Sequence, residues 1–103
     1  MAIFALLTKL SPEAAKEPGN LEYLNQQVNE RIRRHCPEVR WLANYAVLGP
    51  YDYLDIFEAP SVEEAAKVAT LIRTLGHATT ETWPAIPWQR FKEQIVRAIS
   101  VAA

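Results

Sequence analysis

The sequence is short of the features that would assign a function directly. It has one cysteine, Cys36, two histidines and three glycines among 103 residues, and its formal net charge is -1. One cysteine excludes an intrachain disulfide, and a zinc site or a glycine-rich phosphate loop needs more of these residues than the chain has. Without a concentrated positive charge, the chain is a poor ligand for nucleic acid or an anionic membrane. We therefore expect no metal, no cofactor, no nucleic-acid partner and no membrane partner.

Long hydrophobic runs are missing as well. The first apolar run, residues 2–7, has no basic segment before it and is ended by Lys9 and Pro12, so it is neither a signal peptide nor a membrane span. Half of the residues are hydrophobic, and a chain of this length folds as one domain that buries roughly two-thirds of its unfolded surface. We expect a single domain over residues 1–103, soluble in a reducing cytoplasm.

Hydrophobic periodicity predicts the order strand, helix, strand, strand, helix, strand, helix. The predicted strands cover residues 3–8, 39–48, 52–57 and 77–83, and the predicted helices cover residues 20–36, 61–75 and the stretch from residue 87 onward. Ser11-Pro12-Glu13 adds a short capped turn, and Ser61 with Glu64 forms a capping box. Gly76 has the position of a left-handed helix terminus. In the last helix we expect the buried row Phe91, Ile95 and Ile99.

The tetrapeptide Gly49-Pro50-Tyr51-Asp52 predicts a hairpin between the second and third strands. Pro50 presets its own φ, and Gly49 tolerates backbone angles that other residues avoid. We expect the Asp52 carboxylate to accept hydrogen bonds from turn amides and the Tyr51 ring to cover the sheet edge. A structural role is therefore predicted for all four residues of the motif.

The element order is that of a ferredoxin-like α+β sandwich, βαββαβ, with a C-terminal helix and a four-stranded antiparallel sheet. Its helices cover one face of the sheet. Alternation along the third strand predicts that Leu54 and Ile56 face the helices, while Tyr53, Asp55 and Phe57 face the uncovered side. An exposed apolar sheet is a liability in a monomer, so we expect a homodimer, or a higher homo-oligomer, whose sheets close face to face into an α/β barrel.

Five short motifs carry a resemblance to a known family. They are Ser11-Pro12-Glu13-Ala14, Gly49-Pro50-Tyr51-Asp52, Glu58-Ala59-Pro60, Leu75-Gly76 and Thr80-Glu81-Thr82. In order and spacing, the chain resembles the GYD domain family over nearly its whole length. The resemblance implies a dimeric α/β-barrel of the ferredoxin-like superfamily, and it supplies no established catalytic residue.

Seven residues are candidates for a ligand cavity inside the predicted dimer: Trp41, Tyr45, Tyr53, Asp55, Phe57, His77 and Glu81. Asp55 is a candidate general base whose pKa burial would raise, or it pairs with an arginine of the partner chain or meets water. His77 and Glu81 form a candidate acid–base pair, or they are ordinary residues of an edge strand. Trp41 and Tyr45 are predicted to share one face of the second strand.

Three classes of function remain open at the level of the sequence. The chain binds a small apolar or aromatic molecule between its two sheets, it is a cofactor-free isomerase or monooxygenase by analogy with other dimeric α/β barrels, or it is a structural subunit with a packed interior. The first is the preferred prediction. An open or a filled dimer interior distinguishes the first two classes from the third.

Overall fold

A computed structural model of the chain describes residues 1–75 and 77–100. The strands are β1 (Ala2–Leu10), β2 (Arg40–Ala46), β3 (Tyr53–Ala59) and β4 (Ala78–Ala85), and the helices are α1 (Pro12–Ala15), α2 (Pro18–His35), α3 (Val62–Leu75) and α4 (residues 88–100). Within α4 a π-helical turn, Lys92–Val96, lies between two α-helical turns. Every predicted element is present with its bounds moved by a few residues, and Gly76 lies outside the described residues.

Local signals in the sequence set the helix ends. Ser11 Oγ accepts the Ala14 N–H at 3.2 Å, and Ser61 Oγ accepts the Glu64 N–H at 3.2 Å. Each serine side chain therefore caps the N-terminus of its helix. The Glu64 carboxylate accepts from Lys67 Nζ at 2.8 Å, so it pairs along the helix in place of reaching back to the cap. The capping serines therefore begin α1 and α3 where the sequence predicts.

The four strands form one antiparallel sheet in the order β2-β3-β1-β4. Helices α2 and α3 pack against each other and bury their apolar stripes on one face of this sheet. We call that surface the helix face. The arrangement is a ferredoxin-like α+β fold with an added C-terminal helix, so the predicted fold class is confirmed.

The core lies on the helix face and centres on two phenylalanines. Phe4 of β1 and Phe57 of β3 are opposite each other in the strand register, and their rings stack with centroids 5.5 Å apart. Both are at most 1% exposed, and α3 covers them with Val68 while α2 contributes Ile32. Burying one such side chain stabilises the fold by about 1.5–3 kcal/mol. This cluster therefore holds the two central strands and both long helices together.

The predicted orientation of β3 is wrong. Tyr53, Asp55 and Phe57 pair with Thr8, Leu6 and Phe4, which are the buried positions of β1. All three therefore lie on the helix face, and Leu54 and Ile56 lie on the opposite side. Each face of β3 carries apolar residues and one acidic residue, Asp55 on one face and Glu58 on the other. Alternation alone therefore gives two orientations, and only the pairing with β1 selects one.

The prediction that Trp41 and Tyr45 share one face of β2 is wrong, because β2 contains a β-bulge. The register shifts between Trp41 and Ala43, so that Trp41 lies opposite Phe57 on the helix face while Tyr45 lies opposite Leu54 on the other face. A bulge adds one residue to a strand and reverses the alternation beyond it. Trp41 and Tyr45 therefore do not share a face, although they are four residues apart.

No described helix covers the other side of the sheet, which we call the open face. Strand alternation places nine apolar residues there. They are Ile3, Ala5, Leu7, Ala43, Tyr45, Leu54, Ile56, Trp83 and Ala85. Tyr45 is 58% exposed and Trp83 is 50% exposed. The predicted uncovered apolar face is present, with different residues on it from those expected.

Helix α4 extends away from the rest of the chain. It packs substantially on no other element within the described residues, and the radius of gyration is 16.1 Å where a compact chain of this length has about 13 Å. Ile95 is 36% exposed and Ile99 is 73% exposed. The predicted row Phe91, Ile95 and Ile99 is therefore not buried, because α4 packs substantially on no other element of residues 1–75 and 77–100.

Asp52 ties the β2–β3 hairpin to the end of β1. Its carboxylate accepts the Leu10 N–H at 2.8 Å, its own N–H donates to the Thr8 carbonyl at 2.8 Å, and its carbonyl accepts the Val47 N–H at 2.9 Å. Gly49 has φ +154°, and no atom lies within 4 Å of the position that a Cβ would take there, so its conformation and not its packing favours glycine. The Asp52 carboxylate reaches a neighbouring strand and not the turn amides.

We expect Asp52→Ala to lower the free energy of unfolding by about 1–3 kcal/mol, because the Leu10 N–H loses its acceptor. Asp52→Asn is the matched control, since it keeps an acceptor oxygen and is expected to lose less. Urea unfolding followed by tryptophan fluorescence measures both. An unchanged unfolding midpoint in Asp52→Ala contradicts the structural role of this carboxylate.

Candidate functional site

A groove of about 710 Å³ lies between α2 and the β2–β3 side of the sheet. We call it the α2 groove. Its apolar walls come from both the helix and the sheet, and include Leu24, Val28, Ile32, Val39 and Trp41. Ligand pockets have volumes of about 300–1,000 Å³ and are lined mainly by apolar groups with a few polar ones. The α2 groove has a volume within this range and a largely apolar lining, and it is a half-open groove and not an enclosed cavity.

The structure brings together four of the seven residues predicted for a cavity. Trp41, Tyr45, Tyr53 and Asp55 all line the α2 groove, although the strand register assigns Tyr45 to the open face. Phe57 lies in the core with its ring 5.4 Å from that of Trp41. The groove therefore lies within one chain, on the helix side of the sheet, and is not the predicted cavity between two sheets.

Asp55 is the acidic group of the groove's strand wall. Its Oδ1 accepts from Asn44 Nδ2 at 2.7 Å, across the β2–β3 pair. Burial raises the pKa of this carboxyl, and the Asn44 hydrogen bond partly opposes that rise. In residues 1–75 and 77–100 the ion pairs are Arg34–Glu30 and Lys67–Glu64, so no described lysine or arginine neutralises Asp55.

Asn44 is the partner of Asp55 that the sequence did not indicate. It reaches the helix face only because the bulge after Trp41 reverses the alternation of β2. Tyr53 lies two residues from Asp55 on the same face of β3, and its pKa is raised first by burial and then by the charges of Asp52 and Asp55. Tyr53 therefore keeps its proton at neutral pH and lines the groove as a neutral phenol.

His77 and Glu81 do not form the predicted acid–base pair. His77 precedes β4 in a left-handed conformation, φ 50°, and its carbonyl accepts the Ser11 N–H at 2.8 Å. Glu81 lies on the open face, where one carboxylate oxygen accepts from Tyr51 Oη and the other from Trp83 Nε1 at 3.1 Å. The Tyr51 bond first, and then the Trp83 bond, lower the pKa of Glu81. Glu81 therefore joins the hairpin to β4.

Among the described residues, Cys36 is not a reactive thiol and the acidic residues do not form a metal site. Cys36 is 1% exposed, and burial raises the pKa of its thiol, which disfavours the reactive thiolate. In the part of the chain that the structure describes, no three histidine, cysteine, aspartate or glutamate residues are grouped to hold a metal ion. None of the described helices has the length and apolar character to cross a membrane.

The sheet order and the element order assign the chain to one class of proteins, the small ferredoxin-like α+β proteins. Residues 4–95 match the model of the GYD domain, and the chain belongs to that family. The resemblance carried by the sequence motifs is therefore confirmed.

Comparison with known proteins gives one relative with a descriptive name. A Thermus thermophilus protein, "Glutamine synthetase and cystathionine beta-lyase binding protein", is 32% identical over 91 residues, which cover 84% of this chain and 90% of the relative. A crystal structure of a protein from Thermus thermophilus matches with a TM-score of 0.57 and 26% identity, covering 84% of this chain and 95% of that chain.

Two more distant structures share the fold alone. The leucine response regulatory protein of Mycobacterium tuberculosis matches with a TM-score of 0.56 and 16% identity, and the match covers 84% of this chain and 51% of that chain. A de novo designed protein with a ferredoxin fold matches with a TM-score of 0.51 and 11% identity, over 84% of this chain and 86% of the design.

We expect Asp55→Asn to raise the melting temperature at about pH 7 and to lose that advantage toward about pH 4. The pKa of Asp55 is higher in the folded state than in the unfolded chain, so between these two values the folded state binds more protons. The stability of the native chain then falls as pH rises through that window. Above the window Asp55 is charged in both states, and the folded state carries the full cost of desolvating the carboxylate. The amide keeps an oxygen for Asn44 and carries no charge.

Thermal unfolding of both proteins across this pH range measures the effect. Glu58→Gln is the matched control, because it removes the same charge from the same strand on the open face. A lower melting temperature of Asp55→Asn at neutral pH, or a difference that does not change with pH, contradicts the prediction.

Proposed function

We propose that the chain is a cytoplasmic homodimeric protein-binding module whose partner is a metabolic enzyme. The observation that carries the proposal is the extent of apolar surface without a partner, on the open face and along α4. Chains that work alone seldom expose a contiguous apolar patch of this kind, and such patches are typical of protein interfaces. The single cysteine is consistent with a reducing compartment.

The open face fits a second copy of the same chain. Four strands spaced by about 4.8 Å, each with about seven residues at 3.3 Å, present a flat face of roughly 450 Å². A stable interface buries about 800 Å² on each partner. The face alone is therefore too small, and a dimer needs additional surface next to it.

Helix α4 can supply that surface. It follows β4, which is an edge strand of the sheet, and it carries exposed Trp88, Ile95 and Ile99. A helix of 13 residues is about 20 Å long, close to the width of the sheet. In a symmetric dimer each α4 is positioned to pack against the partner, which accounts for its extension from its own chain.

The name of the Thermus thermophilus relative supports the second half of the proposal. That protein is named for binding glutamine synthetase and cystathionine beta-lyase, and the similarity extends over most of both chains. We infer that this chain binds an enzyme of one of these two kinds. A dimer offers two copies of its binding surface to such an enzyme, which raises avidity when both are engaged.

The classes of function left open by the sequence fit the structure unequally. A small-molecule site between the sheets loses its polar anchor, because Asp55 lies on the helix face. No observation on the described residues favours an isomerase or a monooxygenase. A structural subunit with a packed interior agrees with the apolar open face, and it differs from our proposal only in having no enzyme partner.

We expect Leu54→Lys to convert the dimer to a monomer, since a lysine ammonium on the open face cannot be buried against the partner sheet. Val62→Lys is the matched control, because Val62 is 67% exposed on α3, away from the open face. Light scattering after gel filtration, at about 50 µM, measures the mass. A native chain with the mass of one copy overturns the dimer.

We expect the native chain to bind purified glutamine synthetase or cystathionine beta-lyase from its own organism with a Kd of about 10 µM or lower. Leu54→Lys is expected to bind more weakly, because each monomer presents one binding surface in place of two. Biolayer interferometry with the immobilised enzyme measures both, and Val62→Lys is the control. Absence of binding to both enzymes at about 100 µM contradicts an enzyme partner of these kinds.

A further inference from the structure

We propose that the α2 groove binds a small molecule that carries an ammonium group on an apolar body, with Asp55 as its anchor. This site lies within one chain and goes beyond the proposed protein-binding function. Its evidence is the groove itself, the carboxylate in its wall and the aromatic side chains that line the same groove.

The anchor is a carboxylate with unused capacity. Asn44 donates to Oδ1 of Asp55, and in the described residues no donor bonds Oδ2. No described cation pairs with it either. No buried side-chain oxygen among the described residues lacks a hydrogen-bond partner, so Oδ2 keeps access to solvent and can accept from a ligand. Partial removal of the carboxylate from water penalises its charged form. An ammonium group of a ligand would supply both the missing donor and the missing positive charge.

The surrounding side chains favour the same chemistry. Tyr53 and Trp41 line the groove together with Asp55, on the same face of the sheet. Aromatic faces attract cations through their ring quadrupoles, tryptophan most strongly. The groove is also lined by aliphatic residues of α2, such as Val28 and Ile32, which suit an apolar body. The lining therefore combines the Asp55 carboxylate, aromatic rings and an apolar wall. Two charged residues of α2, Glu22 and Arg33, also line the groove, and among the described residues neither lysine nor arginine forms an ion pair with Asp55.

Other ligand charges fit less well. A carboxylate or phosphate ligand could pair with Arg33, which also lines the groove, but beside Asp55 it would meet a charge of the same sign, which is unfavourable in a partly desolvated site. The anionic probe below distinguishes these two anchors. A neutral apolar ligand would bury Asp55 further without giving it a partner, and so would lose binding energy. A cation is the ligand charge that improves the environment of Asp55.

Phenethylamine is a suitable probe, with 2-phenylethanol and 3-phenylpropionate as neutral and anionic analogues of similar size. Each is titrated to about 20 mM into the isotopically labelled full chain, and amide chemical shifts in NMR spectra report the affinity and the location. We expect saturable shifts from the amine at α2, β2 and β3, including the Asn44 side chain. Binding at least about 10-fold tighter than that of the alcohol is expected, and the anion is expected to bind most weakly.

Asp55→Asn is expected to weaken phenethylamine binding about 10-fold and to leave binding of the alcohol unchanged. Glu58→Gln, on the open face of the same strand, is expected to bind the amine as the native chain does. Since Asp55→Asn is expected to be at least as stable as the native chain at neutral pH, loss of binding cannot be attributed to unfolding. Leu54→Lys is expected to bind the amine normally, which distinguishes this site from the dimer interface.

Four results overturn the proposal. They are the absence of saturable shifts with the amine, equal affinity for the amine and the alcohol, an unchanged affinity in Asp55→Asn, and shifts confined to the open face or α4. The first is measured on the Leu54→Lys variant as well as on the native chain, so that association of two copies cannot hide a ligand site.

Discussion

The pairing of Phe4 with Phe57 is the contact on which the rest of the architecture depends. It joins the two central strands, and it lies under both long helices. Because side chains alternate along a strand, this one pair decides the face of every other residue of β1 and β3. A register shifted by one residue would move Asp55 to the open face and Leu54 into the core. Both proposed surfaces, the α2 groove and the dimer face, are therefore consequences of this pair.

The sequence predicts the elements and their order but not the direction of the side chains. Capping serines, the proline at the end of α2 and the hairpin motif are local signals, and the structure has a helix or turn boundary at each. Each face of β3 carries apolar residues and one acid, and the first strand is apolar from Ala2 to Leu7, so neither strand shows which side is buried. The bulge after Trp41 has no local signal at all. These features depend on pairing between distant segments.

Some residues of the candidate site could be predicted from the sequence, but the position of the site in the fold could not. Tyr53 and Asp55 stand out in the sequence because a carboxylate lies among aromatic residues in a strand. Asn44 and the wall formed by α2 do not stand out, since they meet Asp55 only through the bulge and the packing of the helix. Likewise, the apolar row of α4 predicts an amphipathic helix, whereas among the described residues α4 packs substantially on no other element.

Polar groups also explain why α2 leaves a groove beside the sheet. On the helix face the apolar cluster around Phe57 continues to Trp41, and further along β3 it gives way to Asp55 and Tyr53. A helix pressed onto a carboxylate would remove its remaining water without supplying a partner, at a cost in free energy. A carboxylate at position 55 therefore opposes closer packing of α2 on this part of the sheet, and the groove lies where the polar residues of β2 and β3 replace the apolar cluster.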